Sequence, residues 1–499
     1  MRAPPSGKPA GLLVAALATV LVAPAPANAR ARVPVPHISS VRCWPPRVCG
    51  ATPHTVAPGG KLRFKGRNLK PGLLVLFPGG PKQRARAAAL APRLRRANGF
   101  QATVPSWAKS GRVRLARKRG RKSNGAGPIT IKRPVVNRPK ASGGGALAAS
   151  GMWIWYVSKS NGGDSAAIAA QAKSHGVQTV FVKSSDGTTW WSQFSPTLVT
   201  ALKAGGLHVC AWQFVYGTSP AGEAALGARA AQTGADCLVI DAESKYEGKY
   251  GQAQTYINAL RAAIGPDYPL ALSGFPYVDF HPAFPYSVFL GPGGAQYNLP
   301  QMYWKAIGTS VDQAFSHTYA WNTPYKRALF PLGQLYSDPS PSEVKRFRQL
   351  ADLYGAGGVS WWSWQSASAR GWDAIGTPLS PLAGPPPAVA YPTLKRGARG
   401  DLVLWVQEHL IAAGQSVGTD GSFNVATETA VRNFQTARAL LVTGQVDAAT
   451  WDALLRYQPA APNWGQAARA SRVPRGPNGP RSAFMRARRD ELRHVRRGG

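Results

Sequence analysis

The sequence predicts a multidomain protein built around a (β/α)8 barrel of the TIM type, with a small β-sandwich before the barrel and a small helical domain after it. Three observations lead to this prediction. Eight apolar, strand-like segments alternate with amphipathic segments between residues 151 and 380. Short β-type runs separated by Gly and Pro precede them, and a Pro-rich connector separates them from a further segment at 391–457. The length of 499 residues suits about three domains.

The N-terminus has the pattern of a secretory signal. Arg2 and Lys8 precede an apolar run at 11–23, and Ala27 and Ala29 form a small-x-small cleavage pattern. The run is shorter than the roughly 20 residues that span a bilayer. We therefore expect residues 1–29 to be removed, no transmembrane segment to remain, and the protein to be secreted and associated with the cell wall.

The first domain is strongly basic. The chain has a formal charge of +38, but residues 30–140 contain about 27 Lys and Arg and no acid, whereas residues 150–380 are nearly neutral. A basic exported surface suits anionic wall polymers, phospholipid headgroups or nucleic acid. We expect anionic wall polymers as a candidate partner and no specific nucleic acid, with a solvated basic face as the alternative.

The runs KLRFKGRNL, LLVLFPG, GFQATVPSW and GRVRLAR predict strands of a small β-sandwich. Their order resembles immunoglobulin-like domains of the IPT/TIG type, which implies a spacer or binding module at 37–135. Residues 136–150 are rich in Gly, Ala and Ser and are predicted to be a linker.

The barrel prediction depends on the alternation of two kinds of segment. Amphipathic stretches such as SPTLVTALKAGG and PSEVKRFRQLADLYG lie between the strands, and several end in Gly. Prolines interrupt the stretch between the fifth and sixth strands. An open, doubly wound sheet is the alternative fold. The predicted strands are 152–157, 179–185, 208–216, 237–243, 269–275, 299–304, 329–336 and 357–364.

Residues 391–457 contain the elements DGSFNVATETAVRNFQ and TGQVDAATWDALL. They resemble the PG_binding_1 type of peptidoglycan-binding domain, which implies peptidoglycan as partner and a three-helix module. We predict that Asp420 and Gly421 form a structural turn. Residues 381–390 are predicted to be a Pro-rich linker, and 458–499 a disordered basic tail. The expected core residues are Leu404, Leu410, Phe423, Val431, Phe434 and Leu454.

Two acids end the fourth predicted strand, CLVIDAE. Asp241 and Glu243 are two residues apart and therefore point to the same side. Facing the helices would bury unpaired charge, so the inner side near the barrel mouth is favoured. Two close carboxylates raise one another's pKa, so one of them can act as a general acid on a glycosidic bond. A salt bridge with Lys183 or Lys245 is the structural alternative.

FVKSSDGTTW, AWQFVYGTSPAGEA and CLVIDAE resemble segments of glycoside hydrolase family 25 lysozymes. The resemblance implies cleavage of β-1,4 bonds in the glycan strand, with Glu243 as general acid and Asp241 as its neighbour. The first-strand aspartate of that family is missing, because Trp153 and Trp155 lie there. Asp279 and Asp338 are positional substitutes for its late-barrel aspartate.

The D-x-E strand followed by Gln301-Met302-Tyr303 also resembles family 18 chitinases. That resemblance implies a substrate-assisted mechanism in which Asp241 orients the N-acetyl group and Tyr303 donates a hydrogen bond to it. We expect Trp304 and Trp364 to be sugar platforms. The candidate substrate-binding residues are Asp186, Trp212, Gln213, Tyr303, Trp304, Tyr336 and Trp364.

The four cysteines and eight histidines show no metal-binding spacing, so we expect no metal and no cofactor. The short spacing of Cys43 and Cys49 predicts a disulfide-closed loop, whereas Cys210 and Cys237 fit either buried thiols or a bond. The sequence thus predicts an exported peptidoglycan hydrolase. The alternatives are a non-catalytic wall-binding protein and a glycosidase that acts on another N-acetylated polysaccharide.

Overall fold

The computed structural model describes residues 34–46, 49, 52–56, 60–69, 73–78, 99–104, 108–116, 121–131, 145–462 and 464. The chain forms two compact units that divide between Ile131 and Lys132. The predicted signal segment 1–29, residues 136–144 of the predicted linker and 465–499 of the predicted tail lie outside the described residues. Within the described ranges, every helix is too short or too polar to cross a membrane.

The first unit consists of two small sheets around one core. β1, β3 and β5 form an antiparallel sheet, and the second sheet has the order β2-β7-β6-β4. Residues alternate between buried and exposed along β3, where Leu62 and Phe64 face the core with Val113 and Leu115 of β6. The strands are β1 (His37–Trp44), β2 (Thr55–Val56), β3 (Lys61–Arg67), β4 (Leu74–Leu76), β5 (Gly99–Thr103), β6 (Gly111–Ala116) and β7 (Ala126–Ile131).

Four of these strands coincide with the four predicted β-type runs. The predicted disulfide between Cys43 and Cys49 is present and closes the loop after β1. Membership of the IPT/TIG type stays a prediction.

The second unit contains one parallel sheet, with a strand at each of the eight predicted positions. Its strands are β8 (Ser150–Ile154), β9 (Thr179–Asp186), β10 (Thr189–Trp190), β11 (His208–Val215), β12 (Cys237–Ala242), β13 (Leu270–Gly274), β14 (Tyr297–Pro300), β15 (Ala328–Leu329), β16 (Leu332–Gln334) and β17 (Val359–Trp362). β10 is a short antiparallel addition to β9. The others pair in the order β15-β14-β13-β12-β11-β9-β8-β17-β16.

The sheet is curled, because its two end strands are pieces of one chain segment. Pro331 separates β15 from β16, and proline lacks the N–H that a continuous strand would donate. β15 pairs with β14, whereas β16 pairs with β17. Gln301, just beyond β14, also forms a bridge with Leu332 of β16. The parallel sheet is therefore barrel-like.

Helices surround the curled sheet and form the C-terminal region. The predicted amphipathic segments SPTLVTALKAGG and PSEVKRFRQLADLYG are helical, and α8 begins with a capping box of Ser340 and Glu343. The helices are α1 (Ser165–Ser174), α2 (Pro196–Ala204), α3 (Pro220–Gln232), α4 (Tyr250–Ile264), α5 (Tyr286–Phe289), α6 (Trp304–Ile307), α7 (Val311–Asn322), α8 (Pro341–Leu353), α9 (Ala369–Gly376), α10 (Asp401–Ala412), α11 (Val425–Ala437) and α12 (Ala448–Leu454).

The C-terminal region is a three-helix domain with two similar halves. The side chain of Gln407 donates to Asp420 and accepts from the N–H of Gly421, and Gln435 binds the turn at Gly444 in the same way. Asp420 also accepts from the N–H of Ser422, which fits the predicted structural turn. All six predicted core residues of this domain are buried.

The C-terminal domain packs directly on α5 and on the loop before β15, outside the barrel-like sheet. Prolines limit α5 to four residues, and α10 packs against it. Asp401, the first residue of α10, accepts hydrogen bonds from Ser287 of α5 and from the Tyr325 hydroxyl. Trp405 donates to the carbonyl of Pro324 at 2.8 Å. All ten residues from Asp401 to Leu410 are buried, as expected for a helix covered on every side.

Two further contacts hold the domain in place. Lys326 donates to the carbonyl of Leu455 at 2.8 Å. Trp464, which belongs to the predicted disordered tail, is buried with its ring 4.7 Å from that of Tyr250. The predicted linker 381–390 therefore connects two parts of one packed body and does not act as a free tether.

Cys210 and Cys237 are bonded to each other. They are direct partners in the register of β11 and β12, with their Cα atoms 4.6 Å apart. The sequence left this pairing open, because neighbouring parallel strands could not be put in register from it.

Candidate active site

The two predicted catalytic acids lie at the carboxyl end of β12. Asp241 is the penultimate residue of the strand, and Glu243 follows its end. One side-chain amide, that of Gln301, donates to both acids, at 3.0 Å to Asp241 Oδ1 and 3.1 Å to Glu243 Oε1. The structure therefore brings the two carboxylates together, on one side of the sheet, as strand alternation predicts.

Both acids are almost completely buried, with 1% of Asp241 and 4% of Glu243 exposed. Burial penalises a charged carboxylate unless polar groups replace the lost water. Gln301 supplies one donor hydrogen to each acid. Two neighbouring acids can share a single proton, which provides a proton donor next to an ionised carboxylate. Glycosidic cleavage needs that combination.

Backbone pairing on two sides fixes the position of Gln301. Its N–H donates to the carbonyl of Gly274, at the end of β13, and the residue forms a bridge with Leu332 of β16. The Gln301 amide therefore projects from the point where the sheet curls on itself. In the strand order, only β13 separates β14, which precedes Gln301, from β12, which carries the acids.

Four indole rings pack together inside the curled sheet. They belong to Trp153 of β8, Trp155 just after β8, Trp212 of β11 and Trp362 of β17. Neighbouring ring centroids are 5.4 to 5.7 Å apart. The Trp212 indole donates to the carbonyl of Ile154 at 3.1 Å. Trp212 is thus a fully buried packing residue, and Trp153 and Trp155 fill the strand on which the family 25 pattern has an aspartate.

A buried cation lies beside this cluster. Lys183 Nζ is 4.4, 4.5 and 4.7 Å from the ring centroids of Trp155, Trp191 and Trp212, and the residue is 1% exposed. Its ammonium group also lies 2.7 Å from Asp186 Oδ2. Cation–π contacts and an ion pair compensate for its removal from water.

Asp186 is the predicted substrate-binding residue that remains accessible, with 27% of its side chain exposed. Its second oxygen accepts from the Tyr216 hydroxyl at 2.7 Å. Buried Glu223 accepts from the backbone N–H groups of Tyr216 and Gly217 and thereby fixes the loop after β11. The Tyr246 hydroxyl also donates to Glu223, and burial raises the pKa of this phenol, which keeps its proton in place.

Gln213 does not join the site. Its amide donates to the carbonyl of Glu223 and accepts from the Tyr256 hydroxyl, on the helix side of the sheet. Because Trp212 points into the sheet interior, the next residue must point outward. The structure therefore places Trp212 in the indole cluster and Gln213 on the helix side, and substrate binding by either residue stays a prediction.

The two expected sugar platforms are also core residues. Trp304 is fully buried, donates to Glu343 Oε1 at 3.1 Å and packs on Phe347 of α8. Trp364 is 5% exposed and packs edge to face on Trp372 of α9. A sugar ring needs an open indole face, so neither position fits the expected role.

Tyr303 and Tyr336 are buried and lie together, with edge-to-face rings 5.4 Å apart. Tyr303 follows Gln301 by two residues. The two alternative acids have partners of their own. Asp279 lies 2.7 Å from His317 Nε2, and Asp338 binds Arg370 and Ser368.

Gln301 and Lys183 are absent from the predicted site residues, although their positions relative to the ends of predicted strands could have indicated them. Gln301 comes directly after β14, and Lys183 lies near the end of β9. Trp191 and Tyr156 are further candidates, because both are partly exposed, with ring centroids 5.2 Å apart. A polar or aromatic residue at the carboxyl end of any barrel strand is the signal that could have identified them.

The described side chains include no group of three or more His, Cys, Asp or Glu residues arranged to hold a metal ion.

Comparison with known proteins identifies the C-terminal region. Residues 399–454 match the family model of a putative peptidoglycan binding domain, PG_binding_1. The prediction of a peptidoglycan-binding domain is thus confirmed, and it associates the protein with the cell wall. No curated protein matches the chain at a significant level.

Several solved structures are similar to parts of the chain. A peptidoglycan-binding protein from Clostridioides difficile is 37% identical over 13% of this chain and 41% of its own, with a TM-score of 0.13. A chitinase from Chromobacterium violaceum is 13% identical over 46% of this chain and 98% of its own, with a TM-score of 0.34. A family 25 glycosyl hydrolase from Bacillus anthracis is 14% identical over 30% of this chain and 69% of its own, with a TM-score of 0.23. This chain thus spans less than half of the first of these proteins.

Proposed function

We propose that the protein is a secreted peptidoglycan hydrolase that cleaves β-1,4 glycosidic bonds of the glycan strand. The second unit is interpreted as a (β/α)8 barrel. The observation that carries the proposal is the carboxylate pair at the end of β12, joined by one amide donor, in a body that also contains a peptidoglycan-binding domain. The bond that is cleaved and the catalytic roles are part of the proposal.

In the proposed reaction, Glu243 gives its proton to the glycosidic oxygen as the bond from that oxygen to C1 breaks. Asp241 orients the N-acetyl group, whose carbonyl oxygen attacks C1 and forms a cyclic intermediate. Ionised Glu243 then takes a proton from water, which opens this intermediate and restores the acid. This substrate-assisted mechanism needs no first-strand aspartate, which suits a strand occupied by Trp153 and Trp155.

Sugar binding is proposed for the partly exposed residues near the strand ends. Asp186 offers a carboxylate for sugar hydroxyls, while Trp191 and Tyr156 offer aromatic surface. Tyr303 is proposed to donate to the N-acetyl group. The basic first unit is proposed to add affinity for anionic wall polymers.

The test uses purified sacculi and a count of new reducing ends. Glu243→Gln keeps the size of the side chain but cannot deliver a proton, so the rate should fall by about 10²–10⁴-fold. Asp373→Asn is the matched control, because Asp373 has 79% of its side chain exposed. Asp338→Asn tests whether that residue supplies a third acid. If Glu243→Gln releases as many ends as the native protein, the catalytic assignment is wrong.

A second candidate function is that of a non-catalytic wall-binding protein. The near-complete burial of both acids and the indole-filled interior favour it. This candidate predicts that the native protein binds sacculi and releases no reducing ends. A third candidate is a glycosidase for another N-acetylated polysaccharide, such as a chitin-like polymer, which would release ends from that polymer and none from sacculi.

A further inference from the structure

On the outer face of the first sheet, positively charged side chains lie on neighbouring strands, and two of them are directly opposite each other. β1 and β3 are antiparallel neighbours, and their register places Arg42 opposite Arg63 and Ser40 opposite Lys65. Like charges directly opposite each other on neighbouring strands destabilise a sheet. A fold gains nothing from this arrangement by itself, so a counter-charge is expected at this face.

The first unit cannot supply that counter-charge. None of the first 163 residues is Asp or Glu. The cations of β1 and β3 therefore have no carboxylate side chain within their own unit. Their counter-charge must therefore come from outside this unit, and we consider an anionic ligand.

These cations line a concave pocket of about 480 Å³. The guanidinium of Arg63 lies 4.7 Å from the centroid of the Trp44 ring, in a cation–π contact. The disulfide-bonded residues Cys43 and Cys49 also line the pocket, so a covalent link stabilises its wall. The pocket combines fixed charge with aromatic surface.

We propose that this pocket, formed by Ser40, Arg42, Trp44, Arg63 and Lys65, binds a phosphodiester unit of an anionic wall polymer made of polyols or sugars. Guanidinium groups match the geometry of phosphate oxygens, and an indole suits the apolar face of a sugar or polyol. The site is independent of Glu243 and of glycan cleavage.

The shape of the site and the location of the protein favour this partner over two others. A phospholipid surface is broad and offers its charges over a wide area, whereas the pocket is concave and suits one repeating unit of a chain. The C-terminal domain binds peptidoglycan, so the basic unit meets polymers of the wall at high local concentration. Nucleic acid shares the phosphodiester chemistry and is therefore included in the test.

The experiment measures the affinity of the full chain, without its predicted signal segment, for purified poly(glycerol phosphate) at a fixed salt concentration. The double variant Arg42→Gln, Arg63→Gln should weaken binding by about tenfold or more, because it removes two charge-assisted contacts. The matched control is Arg112→Gln, Arg114→Gln, which removes the same charge from exposed positions of β6 in the other sheet. This control should weaken binding by about threefold or less, since it changes only long-range attraction.

A second variant guards against misfolding. Ser40→Glu adds an internal counter-ion opposite Lys65 without removing any packing atoms, and it should weaken binding to a similar extent. The double variant should melt at the same temperature as the native chain or higher, because it relieves repulsion.

Three outcomes would overturn the proposal. The two double variants could lose affinity equally, which indicates a diffuse charge effect. Anionic phospholipid vesicles, or a single-stranded oligonucleotide, could bind more tightly than the polymer with the same dependence on Arg42 and Arg63.

Sacculus cleavage by Glu243 is a separate readout, so its failure leaves this site testable.

Discussion

The second unit buries two acidic pairs, and their surroundings differ. Asp241 and Glu243 lie at the end of a parallel strand and share the amide of Gln301. Asp401 and Glu408 lie on α10, where the C-terminal domain meets α5, and Asp401 accepts from two hydroxyls and a backbone N–H. Burial raises the pKa of Asp401 to about 7, against hydrogen bonds that act to lower it.

Burial alone therefore does not identify a catalytic acid. Asp401 is as deeply buried as Asp241, yet its hydrogen-bond partners Ser287 and Tyr325 join two parts of the fold. The pair on β12 differs by its position at the carboxyl end of a parallel strand, where barrel enzymes carry their catalytic groups. The first pair is expected to serve chemistry, and the second to hold the domain in place.

The largest effect on stability should come from Asp401→Ala. This change leaves the Tyr325 hydroxyl and the two Ser287 donors without their acceptor, at a cost of about 2–4 kcal/mol in the free energy of unfolding. Asp241→Ala removes a carboxylate that lies close to another and should change that free energy by about 1 kcal/mol or less. Urea unfolding at pH 6 measures both. Equal losses would remove the distinction between the two pairs.

The next effect is a dependence of stability on pH. The folded protein binds a proton on Asp401 more tightly than the unfolded chain does, since the pKa rises from 3.8 to about 7. The contribution of this group is therefore complete below about pH 4 and is lost as the pH rises to about 7, by about 1.4 kcal/mol per pH unit.

Comparison with Asp401→Asn isolates this contribution. Burial and Asp401 raise the pKa of Glu408, while burial lowers that of His409 to about 4, so their pH effects have opposite signs. Both residues remain in the variant and largely cancel in the difference. The difference between native and variant stabilities should fall with rising pH. A flat difference from pH 4 to pH 7 would contradict the assignment.

The smallest effect concerns Gln301→Leu. Hydrogen bonds to a carboxylate favour its ionised form, so loss of the shared donor should shift the acidic limb of the activity profile upward by about one pH unit. Asn298→Leu is the matched control, because Asn298 is a buried amide of β14 that bonds Asn322. A pH profile of sacculus cleavage separates this positioning role from a general loss of folded protein, which lowers the rate equally at every pH.

Much of the fold follows from the sequence because the strands are apolar and their separating helices carry caps and Gly ends. All eight strand positions were predictable, and the seventh was found in two pieces because Pro331 interrupts pairing. The docking of α10 was not predictable. Its apolar residues fit a small three-helix core, and the pattern does not reveal that a shortened α5 leaves space for them.

The site was predictable in part. The D-x-E spacing identifies two acids on one side of a strand, and the structure joins them through Gln301. The aromatic residues were harder, because an indole that fills a core and one that binds sugar look alike in a sequence. Trp304 lies against α8, and Trp212 belongs to the central cluster. The distinction depends on which neighbours cover the ring.

The burial of α10 on all sides has a mechanical consequence for an enzyme on an insoluble polymer. A flexible tether lets a catalytic domain sample every bond within a sphere around its anchor. In this protein α10, the first helix of the peptidoglycan-binding domain, is buried against the same compact unit that carries Asp241 and Glu243. If this pair cleaves glycan, the distance between the peptidoglycan-binding domain and the catalytic acids is fixed. Cleavage should then occur at a preferred distance along the glycan strand from each site where the domain is bound.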